Sequence, residues 1–125
     1  MKQDQSEHYS LLIRALLPQE IFDYFEIVKV TVTESTISVH LDELNNPPTE
    51  GAQQRLVSKG FYPESIIQDF PLRERAMFLQ VRRRKWQDST TGEIVSNRWE
   101  TTAQGTRYTK GFAAFLKEVF GQVPH

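Results

Sequence analysis

Met77-Phe78-Leu79-Gln80-Val81-Arg82-Arg83-Arg84-Lys85-Trp86 is the stretch that decides how this 125-residue chain reads. Met77, Leu79 and Val81 alternate with Phe78, Gln80 and Arg82, the period of two that puts successive side chains on opposite faces of a strand. Carried through the charged run, the same period sets Arg82, Arg84 and Trp86 on one face and Arg83 and Lys85 on the other. Asp88-Ser89-Thr90-Thr91-Gly92 is rich in turn formers, and Gly92 can take the positive φ that closes a longer hairpin loop. Glu93 to Trp99 then reads as the returning strand. The expectation is a twisted basic ribbon over residues 66–99, with a tryptophan near each end.

Working outward, Phe112, Phe115, Leu116, Val119 and Phe120 follow the i, i+3, i+4, i+7, i+8 spacing of an amphipathic helix, which Gly121 and Pro124 stop. This helix is expected over 106–121, docked on the chain's own sheet, with a face for another subunit as the alternative. Upstream, Val28, Val30 and Val32 alternate with Lys29, Thr31 and Thr33. After a turn near Glu34-Ser35, Ile37, Val39 and Leu41 alternate with Ser38, His40 and Asp42. That is a hairpin with one face buried and one wet. Residues 45–58, with Asn-Asn-Pro-Pro and Glu-Gly, show no period and read as a loop. At the start, Asp4 and Glu7 form a capping box for a helix bearing Leu12 and Leu16 on one side. Pro18 breaks it and opens a second short helix with Ile21, Phe22 and Phe25. The fold class is therefore α+β in a single domain over 1–125. Its parts are a helical region at 1–25, antiparallel hairpins forming a ribbon-like sheet over 26–99, and the C-terminal helix.

Composition bounds the chemistry. The absence of cysteine excludes disulfides and thiolate metal sites, and the three histidines (His8, His40, His125) are too scattered to converge on a metal. Leu11 to Leu17 is too short, and with Arg14 too charged, for a signal peptide or a membrane span, so a cytoplasmic protein without membrane contact is expected. A net charge of −1 hides an asymmetry: residues 1–71 hold 5 Lys/Arg against 11 Asp/Glu, while residues 72–110 hold 9 against 4. A basic patch of this kind can neutralise phosphates even on a nearly neutral protein, or it can face the chain's own acidic half. Asp42-Glu43 reads as ordinary solvated charge. No Gly-rich phosphate loop, nucleophile elbow or paired carboxylate is present, so no catalytic residue and no cofactor is assigned and the protein is not expected to be an enzyme.

Several short words stand in a telling order: Ser58-Lys59-Gly60-Phe61, Ile67-Gln68-Asp69-Phe70-Pro71, Arg82-Arg83-Arg84-Lys85-Trp86, Thr91-Gly92 and Gly105-Thr106-Arg107-Tyr108-Thr109-Lys110. In that order they resemble the N-terminal region proteins of a family of bacterial insertion-sequence transposases, in which a short N-terminal protein is separate from the catalytic one. The likeness runs from Leu11-Leu12 and the Leu17-Pro18 break to the final helix. Related full-length transposases carry a zinc ribbon in which an Asp-x-Pro turn leads into a basic strand. Here Asp69-Phe70-Pro71 and Arg82-Arg83-Arg84 follow that order, with Trp86 and its neighbours where cysteines would fall. The resemblance thus implies a ribbon stapled by apolar packing of Trp86 and Trp99 instead of zinc.

What the resemblance implies about function is a non-catalytic part of a transposition machine, whose metal-dependent phosphodiester chemistry belongs to a separate catalytic subunit. Its partners would be DNA at the element ends and that subunit, with homo-oligomerisation left open. Arg82, Arg83, Arg84, Lys85, Arg98, Arg107 and Lys110 are the candidate DNA-binding residues, holding phosphates in a positional, salt-dependent way. A rival is a pure interaction module that docks the catalytic subunit while the basic ribbon pairs internally. A third reading, an RNA or small-molecule binder with Trp86 and Trp99 as stacking platforms, requires those rings to be exposed.

Overall fold

In a computed structural model, which describes residues 10–48, 55–97 and 110–122, the chain is an α+β protein with two sheets. Helix α1 (residues 10–16) and the short α2 (Ile21–Tyr24) precede β1 (Phe25–Val32) and β2 (Thr36–Glu43). Then come β3 (Leu56–Phe61), β4 (Ser65–Leu72), β5 (Arg75–Arg82), β6 (Arg84–Asp88), β7 (Ile94–Val95) and helix α3 (Lys110–Gln122). The larger sheet has the order β1-β2-β5-β4 and the smaller one β3-β6-β7.

One long bent hairpin joins the two sheets. β3 and β4 run outward and β5 and β6 return, with Arg73 at φ 61 in the turn between them. Ile67 pairs with Leu79 and Ser65 with Val81 on one side of the bend, Phe61 with Arg84 and Ser58 with Trp86 on the other. Across the bend itself the Tyr62 amide donates to the Arg83 carbonyl at 2.8 Å, so the ladder is carried through it. The basic strand therefore takes its principal partner from upstream. Among the described residues the expected return strand is present as two residues, with Trp86 opposite Val95 and Gln87 opposite Ile94. The turn before it is as expected, with Gly92 at φ 78, a conformation that side chains bearing Cβ rarely adopt.

The β1–β2 hairpin forms where the alternation places it, but it joins the long hairpin through a parallel pair, Ile37 opposite Met77 and Leu41 opposite Val81. The sheet is thus mixed, not wholly antiparallel. Thirty-odd residues separate β2 from β5, ample for the crossover that a parallel pair demands. Three further expectations are corrected. The loop expected to Ser58 gives way to strand at Leu56; residues 57–60 of that strand are all exposed, which is why no apolar period marks it. Phe25 is the first residue of β1, 1% exposed, and does not belong to a helix. A register shift between Ile27 and Lys29 breaks the valine alternation, leaving Val28 on the surface.

Ile37, Val39, Leu41, Ile67, Met77, Leu79 and Val81 form the sheet side of the core, and Phe112, Phe115, Leu116 and Val119 of α3 cover it. Phe115 meets Phe25 edge-on at 5.5 Å, while Phe112 stacks on Tyr24 at 5.5 Å. The C-terminal stripe therefore docks on the protein's own sheet. Phe120 lies outside the described side chains. From α1 and the turn after it, Ile13 and Leu17 enter this core, whereas Leu12 and Leu16, expected there, are 64% and 52% exposed. Both pairs share the i, i+4 spacing; Leu17 stands against Pro18, where the chain turns into the core with Ile21, and so decides which pair is buried. Gly111 allows α3 to approach that corner, since a Cβ there would lie 3.0 Å from Pro18 Cγ. Asp4, Glu7, His8 and His125 lie outside the described residues.

Candidate functional site: the arginine run at the sheet junction

Arg83 interrupts the strand between β5 and β6, and the buried positions change parity there: Met77, Leu79, Val81 and Arg83 before it, Trp86 and Asp88 after it. The four consecutive cations straddle this change. Arg82 grips Asp42 with two bonds, Nε to Oδ1 at 2.8 Å and Nη2 to Oδ2 at 2.6 Å, and its guanidinium lies 4.1 Å from the centre of the Phe61 ring. Arg84 lies 4.5 Å from the same ring. Its Nε donates to the Glu43 carbonyl at 3.2 Å and its Nη1 to Ser58 Oγ at 2.8 Å. Arg82 and Arg84 thus share a face, as the period predicted.

On the other face, Arg83 is 7% exposed and donates to the Asn97 carbonyl at 2.9 Å, with its guanidinium 5.6 Å from the Tyr62 ring. Lys85 lies 5.5 Å from that ring and is half-buried. Arg98 and Arg107 lie outside the described residues, and Lys110 is the first residue of α3. Of the seven candidate DNA-binding residues, the structure therefore brings four together, three of them bonded to polar groups of this same chain.

Sequence reasoning missed those partners. Asp42 and Glu43, read as solvated charges, are 9% and 2% exposed. Glu43 sits at the end of β2, where its carboxylate accepts from the Arg84 amide (2.8 Å) and from Asn97 Nδ2 (2.8 Å). Burial pushes its carboxyl above the ordinary glutamate value, and those two hydrogen bonds with the Arg83 and Arg84 charges only partly offset the shift. The signal that could have revealed the pairing was the arrangement of Asp42-Glu43 at a strand end parallel to the arginine strand. It needed knowledge of the parallel pairing, which local pattern does not carry.

Trp86 is fully buried, with Nε1 donating to Asn45 Oδ1 at 2.9 Å. A ring so placed offers no stacking face to a base, which removes Trp86 from the nucleotide-stacking reading; Trp99 lies outside the described residues. Among the described residues no group of three or more His, Asp or Glu could hold a metal ion, and no helix is long and apolar enough to cross a membrane. No family model matches this chain, and neither a curated protein nor a solved structure matches it.

Proposed function

We propose that this protein is a non-catalytic component of an insertion-sequence transposase, and that it works chiefly as an assembly module docking the separate catalytic subunit. The likeness of its ordered motifs to the N-terminal region proteins of that family supplies the setting. The observation that carries the docking role is the state of the arginine run. Arg82 is neutralised by Asp42, and Arg83 and Arg84 are bonded into the junction between the sheets. A guanidinium already paired with a carboxylate has little net charge left to displace counterions from DNA.

DNA contact is a second reading, favoured by a different pair of residues. Lys59 on β3 and Lys85 on β6 occupy neighbouring positions beside the Ser58–Trp86 pair, and neither forms an ion pair among the described residues. Two phosphates held there give a slope of log affinity against log salt of about −2.

Co-expression with a catalytic-type reading frame found beside its gene tests the proposal, and a gene with no such neighbour counts against it. A complex of the two chains that survives sizing chromatography at moderate salt is the expected result. A catalytic protein that transposes fully without this chain and never co-elutes with it overturns the docking role. Lys59→Ala with Lys85→Ala separates the readings: loss of DNA binding with the complex intact assigns the DNA contact to these lysines.

A further inference from the structure

A groove runs between the end of α1, helix α3 and strand β4. It encloses about 550 Å³. Leu17, Ile21, Ile67, Leu79 and Phe115 form its floor, all of them core residues. One wall is Leu16, 52% exposed, with Leu12 a turn earlier at 64%. The opposite wall is the outward face of α3, where Gly111, Ala114 and Glu118 follow each other at i, i+3 and i+7, all exposed. Asp69 of β4 stands with Glu118 at the rim. A soluble domain seldom leaves two leucines on adjacent turns open beside an apolar trough unless something covers them.

From this juxtaposition we infer that the groove receives an amphipathic helix of the partner protein, one that carries leucine-like side chains on one face and Lys or Arg along its flanks. Three features select that occupant. The floor and the Leu12–Leu16 wall supply the apolar strip that anchors at i, i+3, i+4 and i+7 require. Ala114 carries almost no side chain, so a backbone can lie close along α3 beside it. The rim charges are both carboxylates, which favour basic flanks and reject acidic ones by like-charge repulsion. The inference rests on the docking role proposed above and names the surface that performs it.

The direct test uses the full chain and two fluorescently labelled fourteen-residue helical peptides with identical leucine positions, one with lysine and one with glutamate elsewhere. Anisotropy titration is expected to show binding of the lysine peptide and at least tenfold weaker binding of the glutamate peptide. Ala114→Trp, which fills the groove from an exposed position, and the pair Asp69→Lys with Glu118→Lys should each weaken the lysine peptide at least tenfold. Circular dichroism melting confirms that the variants are folded, and Glu34→Lys, in the β1–β2 turn, should change nothing. Equal binding of the two peptides, or unchanged binding to Ala114→Trp, overturns the inference. So does a dimer of this chain that Ala114→Trp dissociates, because the occupant is then a second copy. If the lysine peptide behaves as expected but no catalytic subunit co-purifies, the proposed function fails and the groove stands. A catalytic subunit that co-purifies equally with Ala114→Trp leaves the function standing and removes the groove.

Discussion

Replacing Arg82 by alanine should unfold the protein more easily, whereas the same change at Lys85 should barely be felt. Two bonds to Asp42 at 2.6 and 2.8 Å are lost, together with a guanidinium lying 4.1 Å from the Phe61 ring centre. The Arg82 side chain is 44% exposed, so the pair is well screened and belongs near the upper end of the surface range, about 1 kcal/mol, on account of its fork geometry. The cation–π contact adds about 0.5–1 kcal/mol. Asp42, only 12% exposed in its side chain, is left without its partner, and together these losses come to about 2 kcal/mol. In a domain of this size that is a fall in Tm of roughly 6–10 °C. Lys85 offers only a contact at 5.5 Å on a half-buried ring, worth less than about 0.5 kcal/mol. Urea unfolding of both variants, with Asp42→Ala and the Arg82→Ala/Asp42→Ala double variant closing a cycle, should return a coupling of about 1 kcal/mol. An Arg82→Ala protein of unchanged stability that has lost affinity for DNA would refute the internal role assigned to this arginine.

Two further outcomes follow from the packing. Phe115→Ala empties a site 6% exposed between Phe25 and Phe112 and should cost about 3–5 kcal/mol in denaturant unfolding, with the protein's hydrodynamic size unchanged. Glu43 sets a pH dependence: its carboxyl titrates above the ordinary value in the folded state, so the folded state binds the proton more tightly than the unfolded one. Its contribution to stability is then greatest below the unfolded value near 4.5 and declines as pH rises through the folded one. Asp88, held below its ordinary value by the Thr90 amide, acts in the opposite sense and loses its contribution as pH falls. Thermal melts from pH 4 to 8 for the parent and Glu43→Gln isolate the Glu43 slope, and parallel curves would remove it.

How far the sequence carried varies with how local each determinant is. The β1–β2 hairpin, the turn at Gly92 and the stripe of α3 were legible because each is written in residues close along the chain, as alternation, turn chemistry and i, i+3, i+4 spacing. β3 was hidden because an edge strand with residues 57–60 exposed leaves no apolar period to read. The parallel pairing of β2 with β5 was hidden for another reason: it joins segments more than thirty residues apart, and nothing in Ile37 or Met77 alone announces the other. The arginine run was read correctly as two faces of a strand. What it faced depended on that unseen pairing, since Asp42 lies directly opposite Arg82 in the parallel register. A basic run on an isolated strand looks like a phosphate site; beside an acidic strand end it becomes a joint.

That joint explains why the cations stand where they do. At the bend between β5 and β6 the buried face changes side, and a strand cannot make that change while keeping every ladder bond. The Arg84 amide finds its acceptor in the Glu43 carboxylate, and the Glu43 carbonyl in turn accepts from Arg84 Nε. Each residue's side chain thus bonds the other's backbone, replacing the missing ladder between the end of β2 and the start of β6. The next residues leaving β2 extend the clamp: Asn45 takes the Trp86 indole, while the Asn46 carbonyl and Glu43 both accept from Asn97. Residues 42–46 therefore bind β5, β6 and the chain beyond β7 at once. Glu43 and Asn45 satisfy the part-buried Arg84 amide and Trp86 indole, so removing either leaves a donor without its acceptor, and losses within such a network are not additive. The two sheets are held at a junction of hydrogen-bonded charge in a chain that has no cysteine to hold them with metal.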